Sequence, residues 1–218
     1  MTRGVLFDLD GTLVDTAPDM AAALNRLLHE EGRAPLEFAA IRPCVSHGAT
    51  ALVRLGFADA DDVVFARLRA RYLDIYREQL AVETRVFEGV QAALSRLETD
   101  GIPWGVVTNK PGWLTDPLLE QLELRERARV IVSGDTLPQR KPHPAPLLHA
   151  ADKLGIPPAE CVYIGDAERD VLAARAAGMQ VFVALFGYIP AEERPLDWPA
   201  TGWLRNPQEM ITLLASLT

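Results

Sequence analysis

The sequence predicts an α/β fold: a Rossmann-like, mostly parallel sheet with helices on both faces, plus an inserted α-helical unit. Short unbroken apolar runs, such as residues 4–7, are typical of parallel strands buried on both faces. After Phe87 such runs alternate with segments of helical periodicity, which indicates βαβ units. Between the first strand and Phe87 the apolar spacing is helical throughout. The 218 residues, 49% of them hydrophobic, suffice for a core domain with a smaller insertion.

The elements carry local start and stop signals. Asp15 and Thr16 can cap the first helix, Pro18 suits its first turn, and Gly32 ends it. A longer helix opens at Asp61. Strands are predicted over residues 4–7, 103–107, 129–132, 161–164 and 180–185. Helices are predicted over residues 17–31, 49–55, from 61 onward, 90–97, 114–122, 145–154, 171–177 and 207–217.

The helical block interrupts a single sheet domain, because the first strand has the same buried character as the later ones. We therefore expect a core made of residues 1–15 and 85–218, with residues 16–84 as the helical insertion. The sequence contains no internal repeat or low-complexity tract that would suggest another organisation.

Composition excludes several classes of protein. The 22 basic and 30 acidic residues give a net charge of −8, which repels phosphate backbones at long range, so no nucleic-acid partner is expected. No apolar run reaches the roughly 18 residues that span a bilayer, and the first ten residues are not typical of a signal peptide. We expect a cytoplasmic protein with no membrane partner, in which Cys44 and Cys161 are reduced.

Polar side chains follow several of the predicted strands. Because the carboxyl ends of parallel strands meet at one edge, where ligands bind in open α/β sheets, we expect these side chains to lie together. The first strand is followed by Asp8 and Asp10, the next core strand by Thr108 and Asn109, the third by a loop with Lys141, and the fourth by Asp166, with Asp170 four residues on.

These residue types predict phosphoryl transfer. Three acids at one buried edge repel one another without a cation, and oxygen ligands without His or Cys favour Mg²⁺. One carboxylate can then attack phosphorus, while a second protonates the leaving oxygen and later activates water. Lys141 and the Thr108 hydroxyl suit the charge on the transferring oxygens. Each motif alone is also typical of an ordinary turn or cap, so their combination carries the prediction.

Four stretches resemble the motifs of the haloacid dehalogenase superfamily. They are residues 8–13 (DLDGTL), 107–110 (VTNK), 140–144 (RKPHP), and 165–166 (GD) with Asp170. The resemblance implies catalytic roles for Asp8 as nucleophile, Asp10 as acid/base, and Thr108 and Lys141 as phosphoryl ligands. It implies a Mg²⁺ site made by Asp8, the Asp10 backbone carbonyl and Asp166, supported by Asp170. Ala167 departs from the Ser or Asp of many relatives, which removes a possible hydrogen bond beside the metal.

The helical insertion resembles the small cap of this superfamily, which closes over the phosphoryl site and selects the substrate. Residues 42–49 precede a helix whose free N–H groups at Gly48 and Ala49 could bind a carboxylate, assisted by Arg42 and His47. An ordinary capped loop is the alternative for this stretch. The candidate substrate-binding residues are Asn109, Arg42, Ser46, His47 and Gly48.

Other reactions of the superfamily fit less well. Dehalogenases resembling this fold lack the second acid of the first motif, which is Asp10 here. Phosphonatases use a cap lysine, whereas the three lysines of this chain fall in the predicted core, at positions 110, 141 and 153. A sugar phosphomutase remains an alternative to hydrolysis. A second alternative is a non-catalytic binding protein that uses Trp198 and Trp203 as surface anchors. This hypothesis expects both tryptophans to be exposed.

Two subgroups share further stretches with this chain. Residues 42–49, 108–111 and 140–144 resemble phosphoglycolate phosphatases, whereas residues 104–111 and 186–198 resemble bacterial phosphatases of N-acetylmuramic acid 6-phosphate. Both substrates carry a carboxylate and a phosphate. The expected function is therefore Mg²⁺-dependent hydrolysis of a small carboxylate-bearing phosphomonoester. That metabolite is the expected partner, and the protein is expected to be a monomer or a homodimer.

Overall fold

The computed structural model describes residues 2–217, so the expected domain bounds at residues 1 and 218 lie outside the described residues. Its strands are Gly4–Phe7 (β1), Val14–Asp15 (β2), Arg85–Val86 (β3), Trp104–Val107 (β4), Val130–Val132 (β5), Cys161–Gly165 (β6), Gln180–Ala184 (β7) and Gly202–Leu204 (β8). Six of them form one sheet in the order β5-β4-β1-β6-β7-β8, with every neighbouring pair parallel. The predicted α/β class and parallel sheet are confirmed.

Helices connect these strands, and one helix follows the last of them. Those of the described residues are Ala17–Glu30 (α1), Phe38–Ile41 (α2), Gly48–Gly56 (α3), Asp62–Glu78 (α4), Val90–Thr99 (α5), Gly112–Gln121 (α6), Ala145–Leu154 (α7), Glu168–Ala176 (α8) and Glu209–Leu217 (α9). Three further turns are 3₁₀-helical, over Arg42–His47, Pro158–Glu160 and Pro195–Asp197.

Alternate residues of the sheet pack on opposite faces, as the two-residue period of a strand requires. Val5 and Phe7 of β1 pack in one apolar cluster, which includes residues of α5, α6 and α9. Leu6 packs in a second cluster, with residues of α7 and α8. Ile164 and Tyr163 of β6 divide between the clusters in the same way. Helices therefore cover both faces and leave the carboxyl edge of the sheet to the connecting loops.

The segment from α1 to α4 folds as a set of packed helices, and we call residues 16–84 the helical region. Helix α1 packs on α4, and α3 packs on both α4 and the 3₁₀ turn Arg42–His47. Strands β2 and β3 flank this region and pair antiparallel, with Val14 opposite Val86. The two chain crossings between the sheet and the helical region therefore run side by side.

Three short strands were not predicted from the sequence. The expectation of an all-helical stretch between the first strand and Phe87 is wrong at its ends, where β2 and β3 occur. The prediction also lacks β8, the sixth strand of the sheet. Strands β2 and β3 have two residues each and β8 begins with Gly202, so none of them forms an apolar run like that of β5, Val130–Val132.

The two C-terminal tryptophans differ from the expected exposed pair. Trp198 is only 8% exposed and packs in the cluster beneath α7 and α8, so the expectation for this residue is wrong. Trp203 is 39% exposed. Trp198 therefore contributes to the core and not to a surface anchor.

No helix among residues 2–217 combines the length and the apolar character needed to cross a bilayer. The expected cytoplasmic location and the monomeric or homodimeric state stay predictions.

Candidate active site

The residues just after three neighbouring strands come together at the carboxyl edge of the sheet. Asp8 follows β1, Thr108 follows β4 and Asp166 follows β6, and β1 lies between the other two strands. The backbone N–H of Asp8 donates to the carbonyl of Ile164 at 2.8 Å, and that of Thr108 to the carbonyl of Val132 at 2.9 Å. These bonds extend the sheet ladder by one residue, and they therefore fix the backbone positions of Asp8 and Thr108.

Three buried carboxylates form a cluster at this edge. Each of Asp8, Asp166 and Asp170 contributes an oxygen, and these oxygens lie within 4.8 Å of one another. The three residues are 3%, 1% and 0% exposed. Asp170 lies in the first turn of α8, where its Oδ2 accepts a hydrogen bond from the N–H of Ala167 at 3.1 Å. The structure thus brings together the acids that follow β1 and β6.

The ammonium of Lys141 lies among these acids. Its Nζ is 2.9 Å from Oδ1 of Asp8 and 2.7 Å from Oδ1 of Asp170, and its side chain is fully buried. Nζ also donates to the hydroxyl oxygen of Tyr163 at 2.7 Å, and that hydroxyl donates to the Val107 carbonyl at 2.9 Å. One ammonium therefore faces two of the three carboxylates, and within residues 2–217 no ion pair is made to Asp166.

The electrostatics of Asp166 indicate that the cluster suits a cation. Burial raises the pKa of its carboxyl to about 8, and the charges of Asp8 and Asp170 add to the shift. Burial likewise raises the pKa of Asp8, against the opposing effect of Lys141. Within the described residues, Oδ1 of Asp166 is buried and has no hydrogen-bond partner. A crowded set of carboxylate oxygens with one unsatisfied acceptor is a donor set that fits a hard divalent ion.

The loop after β7 completes the surroundings of Asp166. The N–H of Tyr188 donates to Oδ2 of Asp166 at 2.8 Å. Gly11, at φ 79°, lies so close to this carboxylate that a Cβ would overlap Oδ2, and a Cβ on Gly187 would meet the Asp166 side chain. Two glycines are therefore required for the loops to approach the acid.

Asp10 lies outside the carboxylate cluster. Its Oδ1 accepts hydrogen bonds from the Thr16 hydroxyl at 2.7 Å and from Nζ of Lys110 at 2.9 Å. Lys110 is 8% exposed and was not singled out by the sequence, although it belongs to the VTNK stretch. The first two predicted acids thus have separate environments, one beside Lys141 and one beside Lys110.

The side chains of Asn109 and Thr108 make hydrogen bonds to the backbone of the loops that carry Lys141 and Lys110. The Asn109 side chain donates to the Lys141 carbonyl at 2.9 Å and accepts from the Lys141 N–H at 3.1 Å. The Thr108 hydroxyl oxygen accepts from the N–H of Lys110 at 3.1 Å. Asn109 therefore fixes the backbone that carries Lys141, a pairing across 32 positions that no local pattern reveals.

The stretch 42–49 reaches the site from the helical region. The Ser46 hydroxyl donates to Oδ2 of Asp166 at 2.6 Å, and Nε2 of His47 is 3.2 Å from Oε1 of Glu193. The expected free N–H of Gly48 is not present, because it donates to the carbonyl of Val45 at the end of the 3₁₀ turn. Ser46 thus contacts a cluster carboxylate from across the site.

Arg42 lies apart from the other predicted substrate-binding residues. Its guanidinium donates to the carbonyls of Phe186 and Gly187, both at 3.1 Å, and lies 4.8 Å above the Tyr188 ring. It is not among the residues that line the cavity described next. Arg42 therefore joins the helical region to the loop after β7.

A cavity of about 530 Å³ opens between the carboxyl edge and the helical region. Predicted site residues that line it are Asp8, Asp10, Ser46, His47, Gly48, Thr108 and Asn109. Basic side chains also line it, namely those of Arg69, Lys110, Arg140 and Arg169. Burial lowers the pKa of Arg169, but the carboxylates of Asp170, Asp8 and Asp166 raise it overall. The cavity therefore combines acids on its floor with cations on its walls.

The sequence did not point to Arg169, Tyr163 or Tyr188. Arg169 precedes Asp170 in the first turn of α8 and donates to the carbonyl of Ser46 at 2.7 Å. Its position in the sequence between Asp166 and Asp170 could have indicated that it lies near the site. The two tyrosines lie in apolar stretches, where a core role is the ordinary expectation.

The sequence of this chain matches that of a known hydrolase family. Residues 5–184 match the model of the haloacid dehalogenase-like hydrolases, so the chain belongs to that family. The expectation of a phosphatase of this superfamily is also confirmed, because the named relatives below are phosphatases.

The chain is similar to relatives named for two different substrates. It is 46% identical over 208 residues to a phosphoglycolate phosphatase of Xanthomonas campestris pv. campestris (strain 8004), covering 95% of this chain and 94% of that one. It is 39% identical over 213 residues to an N-acetylmuramic acid 6-phosphate phosphatase of Pseudomonas aeruginosa, covering 97% and 94%. A crystal structure described as a predicted phosphoglycolate phosphatase from Haemophilus somnus 129pt superposes with a TM-score of 0.88 at 25% identity, covering 98% of both chains.

Proposed function

We propose that the protein hydrolyses a small carboxylate-bearing phosphomonoester through a phosphorylated Asp8. The observation that carries the proposal is the contact, at 2.9 Å, between the buried Lys141 ammonium and Asp8, which lines the cavity. An ammonium at that distance can stabilise charge on a phosphoryl group that the Asp8 carboxylate attacks. The helical region would act as a cap over this floor.

The first half of the reaction transfers the phosphoryl group to the protein. A carboxylate oxygen of Asp8 forms a bond to phosphorus, and the bond between phosphorus and the ester oxygen breaks. A proton from Asp10 goes to the departing oxygen, so the leaving group is released as an alcohol. Lys141 and the Thr108 hydroxyl bind the phosphoryl oxygens during the transfer.

The second half returns the protein to its starting state. Asp10, now a carboxylate, takes a proton from a water molecule whose oxygen attacks phosphorus. The bond between phosphorus and the Asp8 oxygen breaks, and inorganic phosphate is released. Asp10 suits both halves because it lines the cavity and stays 15% exposed at its side chain, outside the buried acid cluster.

Mg²⁺ is the metal that we propose for the carboxylate cluster. The ion would be held by Asp8 and Asp166 and by the backbone carbonyl of Asp10, with Asp170 supporting the site. The unsatisfied Oδ1 of Asp166 supports this assignment. When bound, Mg²⁺ would offset the charge of the carboxylates and polarise the phosphoryl oxygens.

The cavity favours a substrate larger than a two-carbon acid. Its volume of about 530 Å³ lies within the roughly 300–1,000 Å³ of ordinary small-molecule sites. Arg69 from α4 and Arg140 from the core line its wall beside the half-exposed ring of Trp113. A guanidinium suits a carboxylate, and an indole face suits a sugar ring. We therefore favour a phosphorylated sugar acid over phosphoglycolate, with His47 and Gly48 as further wall residues.

The experiment that tests the proposal measures phosphate release by the wild type and by Asp8→Asn. We expect the wild type to release inorganic phosphate in Mg²⁺ and the variant, folded by circular dichroism, to release none. Substantial turnover by Asp8→Asn would contradict the nucleophilic role. An isomerised sugar phosphate as product would favour the phosphomutase alternative. A comparison of kcat/KM for N-acetylmuramic acid 6-phosphate and 2-phosphoglycolate tests the preference for the larger acid.

A further inference from the structure

Lys110 joins the proposed acid/base residue to the helical region. Its Nζ donates to Oδ1 of Asp10 at 2.9 Å and to the hydroxyl oxygen of Tyr76 at 3.0 Å. The same Nζ lies 4.7 Å from the centre of the Tyr76 ring. The three residues come from the loops after β1 and β4 and from α4, so the ammonium connects the core to the helical region.

The contact is buried and specific. The Lys110 side chain is 5% exposed, and Tyr76 is 1% exposed. A buried ammonium needs partners that replace its water, and here a carboxylate, a hydroxyl and an aromatic face do so. If α4 moved away from the core, two of these three partners would be lost and water would take their place. The position of Lys110 therefore depends on the position of α4.

Lys110 and Thr16 bind the same oxygen of Asp10. Both donate to Oδ1, at 2.9 and 2.7 Å, and two fixed donors hold the carboxyl in one orientation. Among residues 2–217, no hydrogen bond is made to Oδ2 of Asp10, and Asp10 lines the cavity. Oδ2 can therefore carry the proton for a leaving group while Oδ1 stays an acceptor.

We infer that Lys110 is a positioning residue for Asp10, and that the Tyr76 hydroxyl makes this positioning depend on closure of the helical region. The inference rests on the proposed function, because it assigns Asp10 the acid/base role. Lys110 does not touch the reacting phosphoryl group in this role. Its effect is to present Oδ2 of Asp10 to the leaving oxygen once α4 covers the site.

The test uses two substrates that differ in their need for an acid. An alkyl phosphate requires protonation of its leaving oxygen, whereas p-nitrophenyl phosphate releases a stable phenolate without it. In Tyr76→Phe the aromatic face stays and only the hydroxyl is lost. We expect kcat/KM to fall roughly tenfold for the alkyl phosphate, the effect of one charge-assisted hydrogen bond, and less than about twofold for p-nitrophenyl phosphate. The ratio of the two values is the readout, because general damage to the site lowers both.

A second variant removes the ammonium itself. Lys110→Met keeps the length of the side chain, and we expect a loss of roughly a hundredfold for the alkyl phosphate, at the lower end of general acid–base effects. Loss of the positive charge weakens binding of both phosphates, so the ratio of kcat/KM values is again compared. If Lys110→Met does not fold, the Tyr76→Phe ratio decides the test.

The matched control is Tyr72→Phe. Tyr72 precedes Tyr76 by one helical turn, its ring lies parallel at 6.4 Å, and its hydroxyl donates to the Met20 carbonyl at 3.2 Å. We expect the same ratio as in the wild type. Equal losses for both substrates in Tyr76→Phe, or no loss for either, would overturn the inference while leaving the proposed function standing. A wild type that hydrolyses neither substrate would overturn both.

Discussion

The carboxylate of Asp19 accepts two hydrogen bonds from Thr84, one from its hydroxyl at 2.7 Å and one from its backbone N–H at 2.8 Å. The residues are 65 positions apart, at the two ends of the helical region, and both are buried. The N–H of Glu83 donates to the same carboxylate at 3.0 Å. Asp19 therefore ties the start of α1 to the segment that leads back into the core.

Replacing Asp19 by Ala is expected to destabilise the fold. The change leaves the buried Thr84 hydroxyl and backbone N–H without an acceptor, which costs about 3 kcal/mol in free energy of unfolding. Urea denaturation followed by circular dichroism measures the change. The matched control, Asp74→Ala, removes an exposed carboxylate from the middle of α4 and should stay within about 0.5 kcal/mol of the wild type. Equal stability of Asp19→Ala and Asp74→Ala would contradict this account.

Replacing Asp10 by Asn is expected to lower kcat without unfolding the protein. The amide can still accept from Lys110 and Thr16 through its oxygen, but it cannot donate or take up the catalytic proton. We expect a loss of roughly 10²–10⁴-fold with an alkyl phosphate, the usual range for general acid–base catalysis. Steady-state phosphate release gives the rate. An unchanged kcat would remove Asp10 from the mechanism.

Mg²⁺ is expected to raise the melting temperature of the protein, because only the folded chain brings the three carboxylates together. At about a hundredfold excess over its dissociation constant, a ligand of this kind adds about 2.7 kcal/mol to the free energy of unfolding. Thermal melting with Mg²⁺ and with EDTA measures the difference, which does not require activity. The absence of any shift at high Mg²⁺ would contradict a metal site at this cluster.

Asp166→Asn is expected to change stability in opposite directions with and without the metal. In EDTA the variant should melt at the same or a higher temperature, because burial raises the pKa of Asp166 to about 8, so the wild-type carboxyl holds a proton at neutral pH that it would release on unfolding. Its amide oxygen can still accept from Ser46 and Tyr188. In Mg²⁺ the variant should lose the increase seen in the wild type. Melting curves that rise equally with Mg²⁺ in both proteins would place the ion elsewhere.

The two cysteines are expected to differ in reactivity. Cys161 is 1% exposed, and burial, with a contribution from Glu160, raises the pKa of its thiol to about 11. Cys44 is partly exposed. A thiol reagent at neutral pH should therefore modify Cys44 alone in the native protein and both cysteines after denaturation. Colorimetric titration counts the thiols, and Cys44→Ala should show none until it unfolds.

Most of the sheet could be predicted because its signals are local. Strands β1, β4 and β6 are unbroken apolar runs, and polar residues follow each of them, which is why Asp8, Thr108 and Asp166 could be placed at one edge. Strands β2, β3 and β8 have two or three residues each and show no periodicity. Strands β2 and β3 form by pairing with each other, and β8 forms beside the longer strand β7.

The long side chains of the site were harder to predict. A sequence does not reveal where the end of a lysine or arginine lies, and Lys110 meets Asp10 across 100 positions of the chain. Asn109 and Lys141 are likewise far apart in the sequence, so the hydrogen bonds of the Asn109 side chain to the Lys141 backbone could not be inferred. Residues 42–49 were expected at the site, and the structure brings Ser46, His47 and Gly48 of this stretch to the cavity, while their role in substrate binding stays a prediction. The 3₁₀ turn that satisfies the Gly48 N–H and directs Arg42 away from the cavity has no strong local signal.

The pairing of β2 with β3 has a consequence for how this protein can diversify. Because the outgoing and returning chain segments leave the sheet side by side, a longer, shorter or differently folded stretch can replace residues 16–84 without shifting any of the six parallel strands. A replacement there would alter which molecules gain entry, provided that it keeps the donor that Thr16 supplies to Asp10 and the acceptor that Tyr76 supplies to Lys110. Entry of the substrate can therefore diversify only as far as these few contacts with the core are maintained.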